Sequence, residues 1–242
     1  MTAWILLLAP TLIAQSAILE QALSNEVNQL REREKYFYRE HAEHRRPGGK
    51  LNFTKDYEWI FLEGEPFRRM VSRNGKPLKG KHAREEAERL RMTAAERRAA
   101  NGKPNPRIIS FGNLSDGVIL TEMDHIESGE ETIEGRKTWV IRAEPKPGRE
   151  SIAYRLTFWI DQEDYVVAQL KYEVIGKGVD TLPGSWLTTR YVRYAGGLWF
   201  KQTFRSELFT GPPRPRSHWF QNHRFSDFRK FDAESTVTFQ ER

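Results

Sequence analysis

Cysteine is absent from this sequence, and its absence removes several classes of chemistry at once. No disulfide, thiolate metal site, cysteine nucleophile or lipidated N-terminal cysteine is available, so stability rests on packing. Long apolar runs are scarce as well. The one such run, Trp4 to Ile13, is interrupted by Pro10 and Thr11 and is shorter than the roughly 20 residues that cross a bilayer. Small residues follow at Ala14, Ser16 and Ala17, the anatomy of a secretory signal peptide without its usual basic start. The expectation is a leader over residues 1–16 and a single exported domain over residues 17–242; the competing reading is an amphipathic N-terminal helix that is kept. Removing sixteen of the 242 residues leaves 226, a length that single-domain β-sandwiches and barrels reach.

Catalytic and cofactor signatures are missing too. There is no G-x-S-x-G elbow, no phosphate-cradling G-x-x-x-x-G-K-[ST] loop and no dinucleotide fingerprint, and Ser185 has no recognisable partner base. Of the six histidines, His41 and His44 are three apart, and His218 and His223 five apart. In a strand each pair points to opposite faces, so no metal or acid-base pair is formed locally, and all six are read as surface residues. The acids Glu130-Glu131 and Asp161-Gln162-Glu163-Asp164 suggest a glycosidase pair or a calcium loop; the segment from Asp161 lacks the glycine and the distal glutamate of a calcium loop, and these acids are read as turn formers. No cofactor and no metal site is expected, and the function class is non-enzymatic.

What the chain does contain is positive charge, aromatic residues and alternation. The formal net charge is +6, a balance that favours acidic partners or anionic surfaces without identifying them. Most of the excess lies in Lys79–Arg107, where nine Lys or Arg face four Glu. This alanine-rich segment is predicted to be a charged helix over residues 80–101, ended by Asn101-Gly102 and Pro104. Its glutamates, spaced as in Glu85 to Arg89 and Glu88 to Arg91, pair internally. That interleaving, together with export, argues against nucleic acid as a partner. The cations Arg84, Arg91 and Arg98 are the candidates for contact with an anionic membrane surface or an acidic partner.

Upstream, Ile18, Ala22, Val27 and Leu30 recur at helical spacing and predict an amphipathic helix to about Glu34. Lys35–His44, the Pro47-Gly48-Gly49 turn and Lys50–Leu62 read as a hairpin, and Asn74-Gly75 as a tight turn. Residues 108–121 allow a short helix or an irregular loop. From Glu122 onward period two dominates, with turns at Glu134-Gly135, Asp161–Asp164 and Gly196-Gly197, and a loop at Pro212-Pro213-Arg214-Pro215. Tyr154, Leu156, Phe158 and Ile160 share one face; Val166, Ala168, Leu170, Tyr172 and Val174, and later Leu198, Phe200, Phe204 and Leu208, repeat the pattern. Consecutive strands on short turns make an antiparallel meander, in a mainly β (α+β) chain.

Bulky residues occupy both faces of several strands, as with Phe158 beside Trp159 and Trp199 beside Phe200. A sheet with one wet face does not need this, so the sheet is covered or curved on itself. A curved sheet closed by helices either packs solid or leaves an apolar cavity. For the cavity the candidate lining is Leu156, Phe158, Leu170, Tyr172, Phe200 and Phe204, each of which is equally a plain core residue.

Several motifs carry a resemblance. Tyr36-Phe37-Tyr38-Arg39-Glu40-His41, Glu58-Trp59-Ile60-Phe61-Leu62-Glu63-Gly64 and Asn74-Gly75-Lys76-Pro77-Leu78 precede the charged helix. Gly135-Arg136-Lys137-Thr138-Trp139-Val140-Ile141, Phe158-Trp159-Ile160-Asp161 and Phe225-Ser226-Asp227-Phe228-Arg229-Lys230-Phe231 follow it. In this layout the chain resembles an uncharacterised bacterial secreted family similar to the LolA/LolB-like lipoprotein-sorting and lipid-carrier proteins. The resemblance implies a curved antiparallel sheet of about ten or more strands, half closed like an unfinished barrel, with helices as a lid. It implies reversible binding of a lipid or an acylated protein at the periplasm or outer-membrane periphery, and it carries over no functional residue.

Overall fold

A computed structural model of the protein describes residues 9–100, 110–111, 114–176, 181–212 and 217–231. The expected leader up to residue 8, the helix stop at Asn101-Gly102 and Pro104, and the proline cluster from residue 213 lie outside them. In chain order the elements are α1 (Ala9–Arg33), β1 (Tyr36–Arg45), β2 (Leu51–Leu62), β3 (Glu65–Arg73), β4 (Lys76–Pro77), α2 (Gly80–Ala99), β5 (Ser110–Phe111), β6 (Leu114–Ser115), α3 (Asp116–Glu122), β7 (Met123–Ile133), β8 (Arg136–Pro145), β9 (Tyr154–Asp161), β10 (Val167–Val174), β11 (Trp186–Arg193), β12 (Trp199–Thr210) and β13 (Ser217–Lys230).

Eleven strands form one open, curved antiparallel sheet in the order β4-β3-β2-β1-β13-β12-β11-β10-β9-β8-β7, a half-closed barrel whose edges do not meet. Two meanders meet at its centre. β7 to β13 pair in consecutive order, and β13 then pairs with β1, which leads outward through β2 and β3. The hairpins follow from local chemistry. Asn74 (φ 52) and Gly75 (φ 70), and likewise Glu134 (φ 50) and Gly135 (φ 81), supply the two successive left-handed residues of a turn whose twist matches the strands. At Asp161 the carboxylate accepts the backbone N–H groups of Glu163 and Asp164 at 3.0 and 2.8 Å, and Arg136 donates to both its oxygens at 2.6 Å. These acids build the β9–β10 turn, as their spacing predicted.

α1 starts earlier than its apolar spacing indicated and lies across the concave face over β7, β9 and β10. Leu19, Ala22 and Leu23 enter a core with Ile119, Ile141, Leu156, Phe158, Leu170 and Tyr172. α3 resolves residues 116–122 as a short helix, with Ser115 Oγ accepting the Val118 N–H at its start. Trp159, facing the other way, packs with Ile133, Val140, Val166 and Ala168 in a second cluster, which Tyr191, under Arg33 of α1, and Trp199 close at its margin. Bulky residues on both faces are thus explained: each face has its own core.

Helix α2 packs elsewhere. Leu90 and Ala94 meet Ile60, Leu62 and Phe67. Ile60 and Phe67 are cross-strand partners, one position out of phase with the partners Trp59 and Arg68. Successive strand residues point to opposite faces, so α2 covers the outer face of β2 and β3, whereas α1 lies on the inner face of the sheet over β7, β9 and β10. Its pairing also differs in detail from the expected spacing. Arg91 pairs with Glu88 at 2.7 Å, but Arg89 pairs with Glu86 at 2.5 Å, and Glu85 takes Lys81 and His82 at 3.7 and 3.2 Å.

Candidate ligand-binding face

One row of cross-strand partners crosses eight of the eleven strands, from β8 to β2, on the concave side: Ile141, Phe158, Leu170, Thr189, Phe204, His223, Ala42 and Lys55. Directly opposed residues share a face, so this row samples one surface. Its first three members are buried beneath α1. Its later members lie beyond the helix, where the face changes character to aromatic rings and polar groups.

Glu40 lies at the centre of that second half. It sits on β1 between Phe225 of β13 and Tyr57 of β2, and it is 3 % exposed. Its carboxylate accepts from Arg68 Nε at 2.7 Å and Arg68 Nη2 at 2.5 Å, from Trp59 Nε1 at 2.8 Å and from His223 Nδ1 at 2.6 Å. Burial alone pushes a carboxyl pKa up; here the bonds from His223, Arg68 and Trp59 outweigh it and hold Glu40 down to about 2. The Arg68 guanidinium lies 3.4 Å from the Tyr57 ring centroid. The buried charge is therefore paired, and the site is preorganised rather than strained.

Rings surround this centre. Tyr38 stacks on Trp59 at 5.4 Å and lies 6.2 Å from Phe225 and 5.6 Å from Phe228. Phe204 meets His223 edge-on at 5.1 Å, and His44 stacks on Phe53 at 4.3 Å. Tyr38, Trp59, Phe204 and Phe225 are half-buried. This half of the face is a floor of aromatic side chains, partly open, around one satisfied carboxylate.

The sequence-predicted lining divides between the two halves. Leu156, Phe158, Leu170 and Tyr172 are core residues against α1, at 6 % exposure or less. Phe200 packs among Tyr36, Tyr194 and Phe228, and Phe204 stands on the open half. Of the outer cations, Arg91 is paired with Glu88 and Arg98 with Glu63 at 3.2 Å, while Arg84 is exposed. The surface reading of the histidines is corrected at two positions. His125 is 7 % exposed with its Nε2 2.9 Å from the Ile119 carbonyl, and the His223 side chain is 12 % exposed, held by Glu40. Glu40 itself was not singled out by its residue type. Its place in the alternation Tyr36, Tyr38, Glu40, Ala42, His44 is the signal that marks it, an acid in mid-strand on a ring-bearing face.

No family model matches the chain, and no curated protein matches it. Among solved structures, a DUF1329 family protein from Desulfovibrio piger is 15 % identical with a TM-score of 0.43, covering 92 % of this chain and 95 % of its own. A domain assigned to outer membrane lipoprotein sorting, from Vibrio parahaemolyticus, is 10 % identical with a TM-score of 0.38, covering 90 % and 95 %. A LolA superfamily protein from Nitrosomonas europaea is 11 % identical with a TM-score of 0.34, covering 90 % and 94 %. The likeness is one of fold.

Proposed function

We propose that the protein is an exported, non-enzymatic carrier or sensor that binds an apolar ligand, a lipid or a lipidated protein, on the concave face of its curved sheet. The observation that carries this reading is the aromatic floor beyond α1, where Tyr38, Trp59, Phe204 and Phe225 are half-buried on the inner side of the sheet. Rings in a concavity offer a large apolar contact area at little conformational cost. The buried Glu40 has its hydrogen-bonding capacity taken up by Arg68, Trp59 and His223, which makes it a structural anchor of the floor. The ligand rests on this half, with Phe204 in its floor and Phe200 at its margin. Leu156, Phe158, Leu170 and Tyr172 form the apolar bed on which α1 lies.

Organic-solvent extraction of the purified protein followed by mass spectrometry, together with uptake of a fluorescent fatty acid, tests this. Co-purifying lipid, or uptake that Trp59→Ala weakens, is the expected result. A clean extract with no uptake contradicts it. The rival reading places an acidic partner or anionic membrane on α2 through Arg84, Arg91 and Arg98. Binding of anionic vesicles that disappears with added salt is the result that favours it, and loss of that binding on charge reversal at these arginines is what it requires.

A further inference from the structure

Charge on the open half of the concave face does not balance. Among the described side chains the strands of this patch contribute one carboxylate, Glu40, and Arg68 already neutralises it through a two-point contact; Glu26 of α1, whose charge also reaches Lys201, is held by Arg33. Two lysines remain. Lys55, which shares the inner row with Ala42, lies 5.2 Å from the Phe53 ring centroid; Lys201, opposite Tyr191, lies 5.4 Å from that of Phe225. Neither ammonium has a carboxylate within ion-pair distance among the described residues. Burial pulls both lysines below their ordinary pKa, with Arg73 and Arg68 adding to the effect at Lys55. On the same face His223 spends its Nδ1 on Glu40 and leaves Nε2 buried with no partner.

Half-buried cations seated on rings make a surface that an anion stabilises. The same rings favour hydrocarbon. Four strands, β12, β13, β1 and β2, span the open half, a width of roughly 14 Å at about 4.8 Å per step, wide enough to admit an acyl chain. We propose that this patch binds a free fatty acid, with the Lys201 ammonium as donor to its carboxylate and the hydrocarbon lying over Phe204, Phe225 and Trp59. The inference rests on the apolar-ligand reading above and names the ligand's head group.

Displacement of a neutral fluorescent probe, N-phenyl-1-naphthylamine, from the purified chain tests it with palmitate, hexadecanol and palmitoyl lysophosphatidylglycerol as competitors. Palmitate is expected to compete about tenfold better than hexadecanol, in line with a charge-assisted hydrogen bond. Lys201→Met is expected to remove that advantage while leaving hexadecanol unchanged, and Lys201→Arg to restore much of it. Equal competition by acid and alcohol overturns the head-group assignment and leaves acyl binding standing. Stronger competition by the lysophospholipid overturns the choice of a carboxylate. If probe bound by the wild-type chain is displaced by none of the three, or no probe binds, the carrier reading itself fails.

Discussion

His223 of β13 donates to Glu40 of β1 across 183 residues of sequence, with His223 Nδ1 2.6 Å from Glu40 Oε1. The bond crosses the seam where the two meanders of the sheet join. It ties that seam together on the face proposed to bind ligand.

This pairing makes stability depend on acid. Glu40 is held at about 2 against an ordinary 4.5, so its contribution is complete above about pH 4.5 and is lost as pH falls through about 2. The shift corresponds to something on the order of 3 kcal/mol. Urea unfolding between pH 5 and 2 should show a steep acid limb for the wild type and a flatter one for Glu40→Gln.

His44 should resist protonation. Burial, and then the charges of His223, Lys55 and Arg68, push its pKa down to about 4 from an ordinary 6.5. The neutral ring is the one that stacks on Phe53, so its stabilising effect is complete above about pH 6.5 and declines as pH falls toward 4. NMR titration of the imidazole signals checks this: the His44 resonance should move with a midpoint near pH 4, and His44→Gln should remove the corresponding part of the stability slope.

Phe158 and Phe204 belong to the same cross-sheet row, yet they should respond differently to truncation. Phe158 is fully buried under α1, and Phe158→Ala should cost about 3–5 kcal/mol. Phe204 is half-buried on the open floor; Phe204→Ala should cost less, about 1 kcal/mol, and weaken acyl-probe uptake. Denaturant melts and probe titrations of both variants separate the bed from the binding floor.

At the far end of the sheet, Asp161 is buried and holds Arg136 together with two turn N–H groups. Asp161→Asn removes one charge of a paired buried set and should destabilise by about 3 kcal/mol. Thermal melts at neutral pH provide the check, and binding of ligand on the opposite half of the sheet should persist at temperatures where the variant is folded.

Much of this fold is legible in the residues. Alternation in Tyr154–Asp161 and Val166–Val174 identifies β9, β10 and the core they share with α1, and Asn74-Gly75 and Glu134-Gly135 place two hairpins. Local rules stop where the contacts become distant. Nothing in the spacing of His218 and His223 announces that His223 meets Glu40, because β13 pairs with β1 only through the global closure of the two meanders. The same holds for the helices: composition predicts α2, but its docking on Ile60 and Phe67 rather than over the concave face depends on which phase of β2 points outward. The cavity candidates were chosen by alternation alone. Alternation assigns a face, and it cannot say which part of that face α1 will cover.

The most direct measurement is photocrosslinking of the purified protein with a diazirine-bearing acyl probe, followed by peptide mapping. Adducts on β12, β13, β1 and β2, around Phe204, Phe225, Tyr38 and Trp59, are the predicted result. Adducts confined to α2 or to the outer face of the sheet, or labelling no greater than that of the unfolded chain, contradict the account.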